Sequence, residues 1–562
     1  MSSPKEVELK FLVPAASRAA LAAEMARGSA TLERRTLAAM YLDTPDRRLA
    51  RAGIAWRLRR EGRRWIQALK AGGANALERF EHEVIRPVGT HDPLEHAGTK
   101  VGERLLVLLE RARADGLEVE VRFRTEVRRT ARRVRTRGAV VEIAFDEGRL
   151  LSGDARQRIR EVEFELVSGS AVAMLALAER WRKRFGLVFD PRGKAERGDR
   201  LAQGDPHPPV RKAARPDYPQ DADALGAFGA VLDECLSQIN RNSIGLLEGD
   251  PALRVDHVHQ LRVGIRRLRS ALRSFDGWVP MPPPALVAEL RALFAELGLS
   301  RDSDVLDSGV VAELAKVGAP PLSMPAGAAG PDPADAVRSP RTQALLLALI
   351  AWRAGLAELP LPVPDKGEQA KLARARADAV QAAADGSQGR PQDPGELRGE
   401  AAIQEPGGEG EDAGDAGEGG PAVAAPEGPP DSKEFRRGVE RRLRRWHRRI
   451  AADWKAFDTL DEEALHALRK RIKRQRYAVE FFAPVLRRRS VDQYLKPLAE
   501  VQERMGELND LFVARGRYQE VLAADPAAWF ALGWLAARIA ELRALARPEL
   551  GRLAKTAPPV AR

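Results

Sequence analysis

Glu6-Val7-Glu8-Leu9-Lys10 alternates two carboxylates and an amine with apolar residues, and its reading decides the fold of the first third of the chain. In a strand, alternate residues point to the same side of the sheet. Glu6, Glu8 and Lys10 then form one row, with Val7 and Leu9 facing the other way. Two acids side by side on an inward face repel each other unless a cation lies between them. A lysine beyond that cation suits a substrate that is itself anionic. A solvated edge strand can carry the same pattern, so this segment alone leaves two readings open, an edge strand or a metal–polyphosphate site.

The alternation continues to about residue 200. Segments 51–60, 63–70, 79–85, 118–127, 140–145 and 159–167 each place charges at period two, which predicts strands. The charges fall into rows: Arg57 with Arg59, Glu81 with Glu83, Arg122 with Arg124, and Glu161 with Glu163 and Glu165. Helical pieces interrupt at about 17–27, 101–113 and 171–185. From about Asp221 the period turns helical and β-branched runs stop, so the second region is expected to be all-α. It is broken at 318–335 and more seriously at 386–430. The latter holds ten acidic residues, two arginines and almost no large apolar side chain, the composition of a disordered insertion.

A chain of 562 residues has room for two to four domains. Its formal charge of +12 favours polyanionic partners such as phosphates, nucleic acid or an anionic membrane surface. Cys235 is the single cysteine, which excludes an intramolecular disulfide and a cysteine-rich zinc site. No apolar leader precedes the first strand, and the best uncharged run, 344–352, is too short to cross a bilayer and is followed by Arg353. A soluble cytoplasmic protein is expected.

One layout recurs in the second region. His259-x2-Arg262-x3-Arg266-x2-Arg269 reappears as His466-x2-Arg469-x3-Lys473-x2-Arg476, and the segments 299–305 and 508–513 follow the two copies at similar distance. Offsets of 3, 7 and 10 fall on one side of a helix, so each copy presents a histidine and three cations as a stripe. Aligned cations repel, and the same unfavourable pattern twice over points to anion binding by a duplicated helical unit. Interleaved aromatics for base stacking are lacking, which argues against nucleic acid.

Taken together these residues resemble a bacterial architecture in which a CYTH domain precedes a CHAD domain. The CYTH resemblance covers about 4–203. It rests on the Glu6–Lys10 row, Trp56-Arg57-Leu58-Arg59, Trp65 to Lys70, Arg79-Phe80-Glu81-His82-Glu83, Arg124, Asp146, Glu161 to Glu165 and Gly193 to Gly198. The CHAD resemblance covers about 220–550 and rests on the two His/Arg helices. The boundaries expected are a CYTH domain at 1–203, a linker at 204–220, and a CHAD domain at 221–550 that contains the 386–430 insertion.

The resemblance implies an α+β first domain, a closed antiparallel β-barrel whose charged interior is a triphosphate tunnel, followed by an all-α polyphosphate-binding domain. It implies hydrolysis of inorganic triphosphate to diphosphate and phosphate. Mg²⁺ or Mn²⁺ would be held by Glu6, Glu8, Asp146, Glu161 and Glu163. Lys10, Arg57, Arg59, Lys70, Arg124 and Lys194 would clamp the phosphates, with Glu6, Glu8, Lys10 and Lys70 closest to the chemistry. His259, Arg262, Arg266, Arg269, His466, Arg469, Lys473 and Arg476 would hold inorganic polyphosphate, and association with polyphosphate granules is in keeping with this. Two alternatives stand beside it. One is a non-catalytic polyphosphate-binding or targeting protein. The other is an enzyme acting on thiamine triphosphate or a nucleoside triphosphate, adenylate cyclases included.

Overall fold

In the computed structural model, which describes residues 5–27, 31–73, 77–299, 310–320, 332–358 and 431–562, the charge-alternating segments become the staves of a barrel. The 386–430 insertion, most of 299–305 and residues 321–331 lie outside the described residues. The strands are β1 (Lys5–Leu12), β2 (Glu33–Asp43), β3 (Ile54–Glu61), β4 (Arg64–Gly72), β5 (Glu78–Arg86), β6 (Glu120–Thr136), β7 (Ala139–Ser152) and β8 (Ala155–Gly169). They run in the order β5-β4-β3-β2-β6-β7-β8-β1. Strand β1 then returns to β5 through Lys5↔Phe80, Glu6↔Arg79 and Val7↔Glu78, closing an antiparallel barrel and removing the sheet's edges. A short β9 (Val188–Phe189) pairs with the far end of β1 through Phe11↔Phe189 and Leu12↔Val188.

The apolar rows of β1, β3, β4, β7 and β8 face outward and are covered by helices. Leu9 and Phe11 of β1, Ile143 and Phe145 of β7 and Phe164 of β8 pack under α1 (Arg18–Ala26) and α4 (Ala171–Phe185), which contribute Leu21, Met25, Trp181 and Phe185. Trp56, Leu69 and Phe80 pack with Leu49 of the short α2 (Arg48–Arg51) and Leu105 of α3 (Lys100–Ala114). Strand β2 carries little hydropathy alternation at its apolar end, although burial alternates there, with Leu37, Ala39 and Tyr41 buried, Ala38 exposed and Met40 half-buried. Leu42 joins the outer cluster, while Leu37, Ala39 and Tyr41 join an inner one with Phe123, Val127, Leu150 and Ile159. Leu201 of α5 (Lys194–Ala202) packs on that inner patch.

The second region is helical throughout the described residues. Helix α6 (Ala224–Glu248) pairs with α7 (Arg254–Phe275), and α8 (Pro284–Leu299), α9 (Val311–Lys316), α10 (Pro333–Arg338) and α11 (Pro340–Glu358) follow. The second half repeats the scheme with α12 (Ser432–Lys455) and α13 (Glu462–Phe482), then α14 (Arg488–Val521) and α15 (Ala528–Lys555). Asp223 caps α6 by accepting from the Gly226 N–H, and Asp461 caps α13 by accepting from Ala464. The halves meet in an aromatic cluster in which Phe275 lies 5.0 Å from both Phe228 and Phe482 and 5.9 Å from Phe435.

The 204–220 stretch is tied to the helices by hydrogen bonds at Arg211, Ala214 and Tyr218. The Arg211 N–H donates to Asn242 Oδ1 and its carbonyl accepts from Asn242 Nδ2. The Ala214 N–H donates to Glu234 at 2.7 Å, and the Tyr218 hydroxyl donates to the Phe481 carbonyl at 2.8 Å. Helix α11 reaches the barrel: its Leu347 and Ile350 belong to the same apolar cluster as Phe11, Trp181 and Phe189.

Candidate active site and anion-binding cavity

Strand register assembles the barrel's inner surface. Tyr41 pairs with Arg57 on one side and Phe123 on the other, and two residues on, Ala39 pairs with Arg59 and Thr125. The same face continues through Arg129↔Asp146, Asp146↔Glu161 and Lys10↔Glu163. It closes through Glu6↔Arg79 and Lys70↔Glu81. Period two therefore turns separate charged rows on seven strands into one charged lumen.

Two groups of charges fill it. In the first, Asp146 and Glu161 are fully buried and, with Glu163, bring carboxylate oxygens within 4.8 Å of one another. Lys194 Nζ lies 2.7 Å from Asp146, 2.6 Å from Glu161 and 2.8 Å from Glu163. Arg129 makes a two-pronged contact with Asp146 at 2.8 and 2.7 Å and also reaches Glu163. Arg197 donates to Glu161 at 2.7 Å. Three acids thus face three bases. Burial alone would raise the acids, but Arg129 and Lys194 outweigh it and hold the Asp146 carboxyl below the ordinary value; for Glu163 the same two cations hold it well below. Both carboxylates stay ionised as ligands must.

In the second group, Lys70 meets Glu6 at 3.0 Å and Glu81 at 2.8 Å. Arg57 meets Glu81 at 3.4 Å and Glu83 at 3.1 Å, and Arg59 meets Glu61 at 2.6 Å and Glu83 at 3.3 Å. Burial pushes the Glu6 carboxyl up to about 9, whereas Lys70 and Arg57 draw Glu81 down against the same burial. Glu6 and Glu81 thus share the Lys70 ammonium. Glu8 is gripped by Arg79 and sits in a row with Glu165 and Glu142 across β1, β8 and β7. Burial, and next the Glu142 charge, push the Glu165 carboxyl up to about 7. Lys10 is 3% exposed and donates to the Arg192 carbonyl; burial draws its ammonium down from the usual lysine range.

Most of the residues singled out from the sequence therefore share the lumen. Arg124 does not: it pairs with Met40 and Leu151, on the face opposite Arg57 and Tyr41, and is exposed. Glu6 and Glu8 lie with Lys70 and Arg79 and are not members of the Asp146–Glu161–Glu163 group. Arg129 and Arg197 reach that group and were missed. Arg129 stands in the run Arg128-Arg129, where two adjacent arginines hide which one faces inward. Among the described residues Arg122 pairs with Glu120 next to the register shift of β2 and β6.

In the helical region a cavity of about 1440 Å³ is lined by His259, Arg262 and Arg266 of α7 and by Arg469, Lys473 and Arg476 of α13. The duplicated stripes thus face one space. Lys212 and Arg215 of the 204–220 stretch and Arg538 of α15 add cations to its wall. Arg269 is buried over the Phe294 ring, and His466 hydrogen-bonds Asn509, a residue of the cavity wall.

A family model of the CYTH domain matches residues 4–198, and one of the CHAD domain matches residues 230–519. Among curated proteins, the chain is 28% identical over 161 residues to an inorganic triphosphatase of Haemophilus influenzae, a match covering 28% of this chain and 44% of that protein. It is also 28% identical over 299 residues to an uncharacterized protein of Mycobacterium tuberculosis, covering 50% of this chain and 53% of that protein. The chain spans about half the length of the curated relatives it matches. Among solved structures, the CHAD domain from the plant Ricinus communis matches with a TM-score of 0.41 at 29% identity, over 63% of this chain and 99% of that one. A putative adenylyl cyclase from Hippeastrum, described as having a dominant triphosphatase activity, matches with a TM-score of 0.27 at 16% identity, over 36% and 96%.

Proposed function

This chain belongs to the CHAD-domain family and carries a CYTH domain ahead of its helices, and on that premise we propose that the barrel hydrolyses inorganic triphosphate to diphosphate and phosphate while the helical cavity binds inorganic polyphosphate. The observation that carries the first part is the Asp146–Glu161–Glu163 cluster in a lumen that also presents Lys10, Arg57, Arg59, Lys70, Arg129 and Lys194. A paired-charge network that merely stabilised a barrel would be an expensive way to do so, because desolvation commonly cancels the attraction within a buried pair. A lumen that exchanges these internal partners for phosphate oxygens gives the cations a use.

The cluster fits a hard divalent ion. Its donors are all carboxylate oxygens, and the ammonium of Lys194, in contact with all three, marks a position that already accepts a compact cation. When bound there, Mg²⁺ or Mn²⁺ would neutralise phosphate charge and lower the pKa of a water. The chain's own residues do the rest. Arg57 and Arg59 present planar forks that can grip two phosphate oxygens each, and Lys10, Lys70 and Lys194 add point charges along the lumen. Phosphoryl transfer needs positioning and charge stabilisation more than covalent chemistry, and this arrangement supplies both. Glu81, Glu83 and Glu61 keep the arginines in place until phosphate displaces them.

The second part is supported by the cations Arg262, Arg266, Arg469, Lys473 and Arg476, and by His259, from two equivalent helices around one cavity. A linear polyanion is the ligand that such a surface suits. No helix among the described residues is long and apolar enough to cross a membrane.

The test is phosphate release from inorganic triphosphate, ATP, thiamine triphosphate and long-chain polyphosphate, each with Mg²⁺, Mn²⁺ or chelator. Metal-dependent turnover of inorganic triphosphate well above ATP is the expected result. Absence of hydrolysis with polyphosphate binding retained would make the barrel a sensor rather than an enzyme.

A further inference from the structure

The segment from β9 to α5 carries two groups of the barrel site, and the helical domain grips it from both ends. At its start, the Phe189 N–H donates to Oε1 of Gln343 on α11 at 2.9 Å, a buried contact, and Gln343 Nε2 donates in turn to the Val337 carbonyl at 2.9 Å. Near its end, Glu196 in the first turn of α5 receives both Nη groups of Arg241 on α6, at 2.6 and 3.1 Å. Between these anchors the Asp190 N–H donates to the Lys10 carbonyl at 3.1 Å, and the Arg192 carbonyl accepts from Lys10 Nζ. Lys194 then meets its three carboxylates. The intervening turn is locked by Asp190, which accepts from the Arg192 backbone N–H and from its guanidinium, each at 2.9 Å. Leu347 and Ile350 of α11 complete the apolar cluster that holds Phe11 and Phe189.

We propose that Arg241 and Gln343 are positioning residues for the barrel site: the helical domain forms the outer wall that fixes residues 188–197, and with them the aim of Lys194 and the seat of Lys10. This rests on the barrel being a triphosphate site. The physical need is specific. Helix α5 spans nine residues and its N-cap, Gly193, provides no side-chain cap. A helix that short does not hold itself in water, so its direction must come from outside contacts. Arg47–Asp199 and Arg197–Glu161 supply these from the barrel side, and Arg241–Glu196 supplies the opposing one. Glu196 and Arg241 are each about one-third exposed (31% and 33%), and partly solvated pairs add little stability. A two-pronged contact nevertheless fixes orientation, and misplacing a reacting group by about 1 Å can lower a rate on the order of 10²-fold.

The experiment uses the full chain as wild type, R241A, Q343A and the reversed pair E196R/R241E. It measures amide hydrogen exchange over residues 188–197, calorimetric binding of inorganic triphosphate, and turnover of the same compound. R241A is expected to speed exchange in that segment and lower kcat about tenfold or more with a smaller change in KM. Q343A should speed exchange at Phe189, and the reversed pair should recover much of the loss. Exchange rates and triphosphate affinity equal to wild type in both single variants would overturn the proposal. A wild-type protein that turns nothing over would count against the triphosphatase reading alone, because exchange and binding still decide the positioning role.

Discussion

Arg57 and Arg124 are the same residue type in similarly alternating strands, yet the register puts one in the lumen and the other in solvent. Arg57→Ala or Lys10→Ala should lower kcat on the order of 10²–10³-fold, the usual loss when one preorganised donor to a charged transition state is removed. Arg124→Ala should leave turnover near wild type and stability within about 0.5 kcal/mol. Steady-state assays on inorganic triphosphate check the contrast. Parity is what made this hard to read from sequence. In β6, Arg122, Arg124, Arg128 and Arg129 all stand in one strand, and the irregularity between Tyr41 and Leu42 shifts the pairing of the two strands. The inward position is Arg129, level with Asp146 of β7, and its partners Asp146 and Glu163 come from β7 and β8. Glu165 carries a second prediction. Its carboxyl is raised to about 7, first by burial and then by Glu142, so the folded state binds this proton more tightly than the unfolded chain does. Stability from this group is then lost as pH rises from about 4.5 through 7. Glu165→Gln should raise the melting temperature at pH 8 and change it little at pH 5.

At the scale of elements, α5 joins lumen chemistry to barrel packing, and its closest approach is at Gly198. A Cβ there would stand 2.1 Å from the Phe123 ring, and neither the ring, stacked on Tyr41 at 4.4 Å, nor the helix has room to give. Gly198→Ala should cost about 1–3 kcal/mol by overpacking and, by lifting the helix, weaken triphosphate binding through Lys194. Urea unfolding and calorimetry measure the two effects. The sequence made most elements legible: the helices expected at 17–27, 101–113 and 171–185 lie within a residue or so of α1, α3 and α4. Strand β2 is hidden because residues 37–42 are apolar on both faces, even where Ala38 is exposed and Met40 half-buried, so hydropathy does not alternate. The long β6–β7–β8 hairpins run past their expected ends because charged outer residues continue there. The role of α5 was visible only as Gly193 to Gly198, a string with no periodic signal that says which strands it meets.

For the whole molecule, duplication explains why two distant stripes serve one cavity. His259 and His466 are 207 residues apart in sequence, and only the pairing of two helical halves brings Arg266 and Lys473 to the same wall. Polyphosphate binding should fall steeply with salt as counterions are released, and Arg266→Ala with Lys473→Ala should reduce that log–log slope by about one for each lost contact. Fluorescence titrations from low to high salt would measure it, and an unchanged slope would count against the cavity. Contacts across α6 and α11 to the barrel could not be anticipated from the sequence, since they link surfaces whose residues carry no shared pattern. The central claim concerns the buried carboxylates. The most direct test is phosphate release from inorganic triphosphate by wild type and Glu163→Gln while Mg²⁺ is titrated from chelator-treated protein. The account predicts no turnover without metal, saturable activation in wild type, and activation in the variant that needs far more metal and reaches on the order of 10²-fold less. Turnover that ignores both chelator and the substitution would contradict it.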